Sequence, residues 1–324
     1  MLPLRPPLLA RHALFTVVGL LVAQAAAADS HSPESWLQRM GVAVQSTSYS
    51  GTVIRAQGGK TEALKVAREI KDGVVREKIA AQEGYGLEII RVGNEVHCIL
   101  PDRKSVLVEE WDDQSTLFST LPSSELRFGN EYDVAIVREG RVAGRDAVLI
   151  AIRAHDRYRY GQRIWLDVET AFPLQTQLIA NDGSAIEQVK FADISLNEEI
   201  HDSALAPSYS TENFRWFNQP TRHANRSIDT EWSSDSLPQG FRAIATHEEN
   251  MSESDEPVTH ILYSDGLANV SVFIAAADDS GMRGVSQVGA SSSFSVAAGD
   301  RHITAVGEVP PITVEQIATS MRRR

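Results

Sequence analysis

Apolar and polar residues alternate over short runs along most of the chain, a pattern that predicts β-strands. Such runs fill residues 49–109 and 132–194 and are separated by turn sequences such as Lys71-Asp72-Gly73 and Asn181-Asp182-Gly183. Strands joined by tight turns form an antiparallel meander, because parallel strands need long crossover connections. About ten or eleven strands predict a strongly curved sheet or half-barrel, since open sheets of that size curl. The strands are predicted at 49–56, 74–80, 87–92, 95–100, 105–109, 132–138, 147–154, 162–167, 174–180 and 185–194.

Two segments with a different pattern are predicted to form helices that cover this sheet. Ser32 and Pro33 provide an N-cap and a first helical residue for an amphipathic helix. Residues 111–127 break the strand pattern and predict one or two short helices across the concave side. The concave face could hold an acyl chain or a hydrophobic peptide under this cover, or its residues could simply fill a core. The candidate cavity residues are Trp36, Trp111, Leu117, Phe118, Leu121 and Trp165.

A second, smaller domain is predicted after a connector. Residues 205–239 lose the strand periodicity and collect prolines, so we place a large domain at 29–204, the connector at 205–239 and the small domain at 240–324. In the small domain, Ser264-Asp265-Gly266 between two β-branched runs predicts a hairpin. Thr313 and Gln316 have the spacing of a capping box and predict a terminal helix. The fold class is therefore mainly β, an α+β chain with two antiparallel sheets.

Charge narrows the range of partners. The chain has 31 basic and 43 acidic residues, a formal charge of −12, which disfavours nucleic acid and anionic membrane surfaces. Residues 243–282 hold eight acids and no lysine or arginine, either as a solvated face or as a docking surface for a basic partner. The connector adds aromatic residues that are too apolar for a free linker, and we expect them to pack against one or both domains. The candidate partner-binding residues are Phe214, Trp216, Phe217, Glu248, Glu249, Asp255, Glu256, Tyr263 and Asp265.

The N-terminus predicts export. Residues 1–28 combine two arginines, an apolar segment and a run of alanines that ends at Ala28, as in a cleaved signal peptide. Export predicts a periplasmic protein, and Cys98 as the one cysteine excludes an internal disulfide. We expect Cys98 to be a buried small hydrophobe; a reactive thiol or a disulfide-linked homodimer is the alternative.

Signs of catalysis are weak. Gly58-Gly59-Lys60-Thr61 lacks the earlier glycine of a phosphate loop, because Ile54 stands there. The nine histidines have no spacing typical of a shared metal site. The sequence therefore predicts no catalytic residues, no metal and no cofactor, and an exported hydrolase is the weakest hypothesis.

Several motifs resemble the RseB/MucB family of periplasmic negative regulators of envelope-stress sigma factors of the sigma-E/AlgU type. In the small domain they are Tyr263-Ser264-Asp265-Gly266-Leu267 and Val306-Gly307-Glu308-Val309-Pro310-Pro311. The strand pair 99–109 and the turn 163–174 agree as well. The resemblance covers essentially the whole chain after the predicted signal peptide.

The resemblance implies a large domain with a lipoprotein-carrier-like fold and a function without catalysis. It implies binding to the periplasmic domain of a single-pass anti-sigma factor of the RseA/MucA type, protection of that domain from proteolysis, and release by a lipid or lipopolysaccharide. A lipid or lipoprotein carrier is the alternative function, and a homodimer stays open.

Overall fold

The computed structural model describes residues 32–110, 117–118, 121–122, 129–218, 230–249, 257–277 and 283–324. The predicted signal peptide, 1–28, lies outside these residues. None of the helices in the described segments has the length and apolar character needed to cross a membrane.

The large domain is one antiparallel sheet made of two meanders. The sheet has the order β6-β5-β4-β3-β2-β1-β11-β10-β9-β8-β7, so that the first and last strands of the domain pair with each other. The chain between β6 and β7 must therefore pass from one side of the sheet to the other. The strands are β1 (Tyr49–Gln57), β2 (Lys60–Lys71), β3 (Val74–Ala81), β4 (Glu88–Val92), β5 (Glu95–Leu100), β6 (Ser105–Glu110), β7 (Tyr132–Val142), β8 (Arg145–Ala154), β9 (Gly161–Asp167), β10 (Pro173–Ile179) and β11 (Ala185–Leu196).

Strand β2 was not predicted from the sequence. Its alanines, lysines and glutamates are depleted in strands, and its polar character hides the alternation. It forms because β1 and β3 pair with its two edges, and this environment buries Val66 and Arg68.

The predicted first helix, α1 (Pro33–Ser46), is confirmed. Ser32 caps it by accepting a hydrogen bond from the Ser35 backbone N–H at 3.2 Å, and Pro33 is at the first turn. Its apolar face, with Trp36 and Met40, joins the main core of the large domain.

The small domain is a second antiparallel sheet closed by a helix, which confirms the predicted mainly β fold class. Its strands have the order β14-β15-β16-β19-β18-β17 and pack beside α3 (Pro311–Thr319). β17 was not predicted from the sequence. The strands of this sheet are β14 (Arg242–Glu249), β15 (Val258–Ser264), β16 (Asn269–Ala276), β17 (Gly284–Val288), β18 (Ser291–Ala298) and β19 (Arg301–Gly307). Three short elements precede them in the chain, namely α2 (Asp202–Leu205), β12 (Arg215–Asn218) and β13 (Trp232–Ser234). The strand β20 (Met321–Arg323) follows α3.

The predicted capping box of α3 is wrong. The helix begins at Pro311 with Pro310 as its N-cap and has no side-chain capping hydrogen bond. The Thr313 hydroxyl instead donates to the Tyr158 carbonyl oxygen of the large domain at 2.6 Å. This threonine therefore joins the two domains.

The connector takes part in both domains. β12 adds to the edge of the large sheet by pairing in parallel with β6. β13 pairs with the C-terminal strand β20. Residues 205–239 are therefore bound to each domain at one end, and the predicted domain limits stay predictions.

We predict that Gly51→Ala destabilises the large sheet, because a Cβ atom at Gly51 would lie 2.3 Å from the backbone oxygen of Asp193 in β11. The expected loss of unfolding free energy is about 1–3 kcal/mol, as for an overpacked core, measured by denaturant titration. Ser50→Ala on the same strand is the control and should change little. If Gly51→Ala left the unfolding free energy unchanged, the two strands would be able to move apart at no cost.

Candidate functional site

The concave face of the large sheet carries side chains in rows, because paired residues of neighbouring strands point to the same side. One row contains Leu64 of β2 and Ala81 of β3. The next row runs through Val66, Ile79 and Ile89 of β2, β3 and β4. These rows give the face its apolar character.

A cavity of about 300 Å³ lies against these rows. Strands β1 to β4 line one side of it and strands β9 to β11 line the other, which shows that the sheet curves around it. Its volume is at the lower end of the range of about 300–1,000 Å³ for small-molecule sites. The apolar lining residues are Leu64, Ile79, Ala81, Leu87, Ile89, Leu117, Phe118, Leu121, Leu178 and Val189.

The structure places half of the predicted cavity residues at this cavity. Leu117, Phe118 and Leu121, from the segment between β6 and β7, all line it. Phe118 is also part of an aromatic cluster, with its ring 5.6 Å from Phe172 and 6.3 Å from Phe191. These three residues therefore lie against the concave face. The predicted helices of residues 111–127 fall mostly outside the described residues, as does Trp111.

Trp36 and Trp165, the other candidates within the described residues, do not line this cavity. Trp36 packs in the core under the guanidinium of Arg39, at 4.4 Å. Gln162 of β9 lines the cavity, and Trp165 is three residues further along the same strand, where it pairs with Leu149 of β8. The two-residue period of a strand places Trp165 on the opposite face, beneath Arg138 at 4.7 Å.

The charged residues that line the cavity are mainly acidic. Glu62, Glu187 and Glu308 share it with one cation, Arg55. Arg55 is 3.2 Å from Glu187 and 3.7 Å from Glu62. Although part of the Glu308 side chain is exposed, burial raises its pKa, nearby Glu187 raises it further, and Arg55 opposes the shift.

Glu308 belongs to the small domain, so the cavity is also a contact between domains. A second space of about 220 Å³ adjoins it and shares Gln162, Leu178 and Glu308 with it. The remaining walls of this space are Tyr132 and Tyr160 of the large domain and residues 267–269 of the small domain. A ligand in the cavity would therefore touch both domains.

A buried ion pair fixes the two domains beside these spaces. The Arg159 guanidinium, fully buried, donates to Oδ2 of Asp265 at 2.5 Å and to the backbone oxygen of Gln239 at 2.6 Å. The Tyr132 hydroxyl donates to the same Asp265 oxygen at 2.9 Å. Burial, and secondly Asp265, raises the pKa of Tyr132, so this hydroxyl stays a donor. We call Arg159, Asp265 and Tyr132 the interdomain latch.

The interdomain latch includes Asp265 of the predicted hairpin turn Ser264-Asp265-Gly266, so this turn contacts the large domain. Oδ1 of Asp265 accepts hydrogen bonds from the backbone N–H groups of Leu267 and Ala268 at 2.9 and 2.7 Å, which forms the turn. Its side chain is 1% exposed, and Tyr263 is buried in the core of the small domain. Asp265 and Tyr263 were both predicted to bind a partner. In this conformation neither side chain is accessible to another protein.

The aromatic residues of the connector divide between core and surface. Phe214 packs against a small cluster of Ile90, Ile99 and Val106 on the convex face. Trp216 and Phe217 on β12 are 50% and 47% exposed. The Trp216 ring meets the ring of His97 edge-on at 5.3 Å, which fixes it at the surface.

Two of the four acidic candidates, Glu248 and Glu249, belong to the small sheet. Glu248 is an exposed residue of β14, the strand at the edge of the small sheet. Glu249 ends that strand; Asp255 and Glu256 fall outside the described residues. Within the described part of the chain, no contact joins Glu248 to Trp216 or Phe217.

Cys98 lies on the cavity side of the sheet, paired with Ile89, and is half-buried. Burial, and secondly Glu109, raises the pKa of its thiol. Such a thiol is a poor nucleophile, in agreement with the expected role as a small hydrophobe. Among the described residues no group of three or more side chains is arranged to hold a metal ion.

Comparisons with known proteins agree with the motifs. Family models described as the MucB/RseB N-terminal domain and the MucB/RseB C-terminal domain match residues 32–209 and 226–322. The chain belongs to the MucB/RseB family.

Members of the family match over nearly the full chain. The sigma factor AlgU regulatory protein MucB of Pseudomonas aeruginosa is 29% identical over 317 residues, covering 95% of this chain and 96% of the relative. The sigma-E factor regulatory protein RseB of Escherichia coli K12 is 26% identical over 314 residues, or 96% of each chain. The P. aeruginosa MucA/MucB complex has a TM-score of 0.69 at 25% identity, covering 90% of this chain and 99% of that chain. A crystal structure of MucB has a TM-score of 0.59 at 26% identity, covering 90% and 98%.

We predict that Asp265→Asn loosens the two domains. The asparagine oxygen can keep the turn, but its amide nitrogen would face the donors Arg159 and Tyr132. Breaking a buried pair costs about 3–5 kcal/mol, and we expect the lower end because Asp156 still accepts from Arg159. Denaturant unfolding and the radius of gyration from solution scattering measure the effect.

Asp182→Asn is the matched control. Asp182 forms the same kind of Asp-Gly turn, accepting from the Ser184 N–H at 2.9 Å, but it is exposed. It should leave the unfolding curve and the radius of gyration unchanged. Equal behaviour of the two variants would mean that the latch does not hold the domains.

Proposed function

We propose that this protein is a periplasmic regulator that binds the periplasmic domain of a MucA-type anti-sigma factor and shields it from proteolysis. Membership of the MucB/RseB family over both domains carries the proposal, together with the likeness to the MucA/MucB complex. The relatives are named as regulatory proteins, which supports a function without catalysis. The N-terminal pattern of a signal peptide supports the location.

The partner docks on exposed surfaces of this protein and not on the buried hairpin turn. β12 is the last strand of the described large sheet, so its outer edge can accept another strand. Trp216 and Phe217 stand on its two sides and supply large aromatic contacts. The acidic edge around Glu248 attracts a basic segment and speeds association.

The cavity holds a lipid that releases the partner. The ligand would touch Glu308 as well as the large sheet, so its binding would depend on how the two domains are placed. A lipid releases a partner only if it binds the partner-free arrangement more tightly. The polar latch is the contact that such a rearrangement has to change.

We predict that Trp216→Ala weakens binding to the MucA-type periplasmic segment by about tenfold or more, as expected for a central aromatic anchor. Isothermal titration calorimetry with the purified segment measures this. Tyr85→Ala is the control, because Tyr85 is 80% exposed on a distant turn of the same sheet. If both variants bind like the unaltered protein, the partner does not use β12.

We predict that Leu117→Asn reduces lipid binding without changing partner binding. Leu117 lines the cavity and is half-buried, and burying a leucine is worth about 1.5–3 kcal/mol, so affinity should fall about tenfold. Titration with an acyl ligand and lipid-driven release of a bound MucA-type segment are the two measurements. Val74→Asn, at an exposed valine outside the cavity, is the control.

The same experiment separates the regulator from the alternative of a carrier. The apolar cavity also suits a protein that moves a lipid or an acylated protein. A carrier would pass its acyl cargo to an acceptor and would show no lipid-driven release of the MucA-type segment. That result would replace the regulator with the carrier.

A further inference from the structure

The most unusual group on the concave face is the guanidinium of Arg68. It is fully buried, and none of its three nitrogens has a hydrogen-bond partner among the described residues. Its nearest carboxylate is Glu77, with Nη1 and Oε1 3.8 Å apart, and Oε2 of Glu77 also has no partner. Buried polar groups in proteins are nearly always hydrogen-bonded, so this site lacks a hydrogen-bonding group that would satisfy Arg68 and Glu77.

Arg68 belongs to the row of side chains next to the cavity. Strand pairing places Tyr49, Arg68, Glu77 and Arg91 side by side on β1 to β4, on the same face as the cavity lining. On β3 and β4 this row follows directly after Ile79 and Ile89, which line the cavity. The Tyr49 hydroxyl donates to Oε1 of Glu77 at 3.0 Å and holds that carboxylate in place.

Phe118 separates the cavity from this row. Its ring lines the cavity, and its centroid is 6.4 Å from that of Tyr49. Phe118 lies between β6 and β7 in the chain and is not part of the sheet itself. Phe118 therefore lies where the cavity meets the row that contains Tyr49 and Arg68.

The charges at the two ends of the cavity differ in sign. The inner row has the guanidinium groups of Arg68 and Arg91 and the single carboxylate of Glu77, all at most 2% exposed. The polar lining of the cavity has three carboxylates and the already paired Arg55. An anionic group is therefore favoured at the inner row and repelled at the other end.

We propose that the cavity binds a single-chain anionic amphiphile of the fatty-acid class, with its carboxylate on Arg68. Nη1 of Arg68 faces Glu77, which leaves Nε and Nη2 free to donate both bonds of a bidentate carboxylate pair. The acyl chain lies over Ile79 and Ile89 and extends toward the acidic end. A volume of about 300 Å³ suits one chain better than a lipid with several. This assignment rests on the proposed lipid-binding role of the cavity.

The test compares dodecanoate with methyl dodecanoate, two probes with the same chain and a different charge. We expect the protein to bind dodecanoate at least about tenfold more tightly at pH 7.5, because charge-assisted bonds to a guanidinium are strong. Isothermal titration calorimetry of the unaltered protein gives both dissociation constants, so this comparison does not depend on any variant folding.

The double variant Arg68→Met, Glu77→Met tests whether Arg68 is the residue that binds the carboxylate. Replacing both members of a buried ion pair by apolar residues is usually tolerated, and circular dichroism melting checks the fold. The variant should bind the two probes equally. Arg76→Met, at a partly exposed arginine of β3 that pairs with Asp202, should keep the preference for dodecanoate.

The possible results distinguish the carboxylate site at Arg68 from the more general lipid-binding role of the cavity. Equal binding of both probes to the unaltered protein overturns the carboxylate site, which then holds only water, and leaves the apolar cavity as a lipid site. Binding of neither probe overturns the lipid-binding role as well. A double variant that folds and still prefers dodecanoate shows that the carboxylate binds elsewhere.

Discussion

The pairing of β1 with β11 is the interaction on which the cavity depends. It joins residues far apart in sequence, such as Gln57 with Glu187, and it turns two separate meanders into one curved sheet. The cavity is lined from both halves, so without this pairing it would have one wall. The close approach of the strands at Gly51 leaves no room for a side chain, and the register shifts between Thr52 and Val53. The largest sheet of this chain therefore contains a strict steric condition at its centre.

The two domains are held by polar groups more than by a shared apolar core. Arg159, Asp265 and Tyr132 are buried together, and Thr313 of α3 bonds to the backbone of the large domain. Leu267 packs against the core of the large domain beside them. Polar contacts of this kind fix a specific arrangement through geometry, because each donor needs its acceptor in place.

The concave face combines an apolar surface with buried charge, and the two have different physical roles. Apolar rows give binding energy in proportion to the area removed from water, without direction. The buried charges give direction, because a guanidinium without hydrogen bonds favours an anion and a group of carboxylates repels one. Together they define a cavity whose two ends are not equivalent.

The local sequence pattern determined most of the strands, the first helix, the small domain and its hairpin, because these follow from alternation, capping residues and turn residues. It did not show β2, since a strand held by neighbours on both edges can carry residues that disfavour strands. It also could not distinguish Asp265 from Asp182, which form similar turns, although one is buried between domains and the other is in solvent. Leu117, Phe118 and Leu121 became candidates because they interrupt a strand pattern, and they lie at the cavity, whereas strand pairing places the candidate Trp165 on the opposite face of the sheet. Only the tertiary structure decided which charges are buried together, because that depends on strand order and on the contact between domains, and neither is encoded in any short stretch of residues.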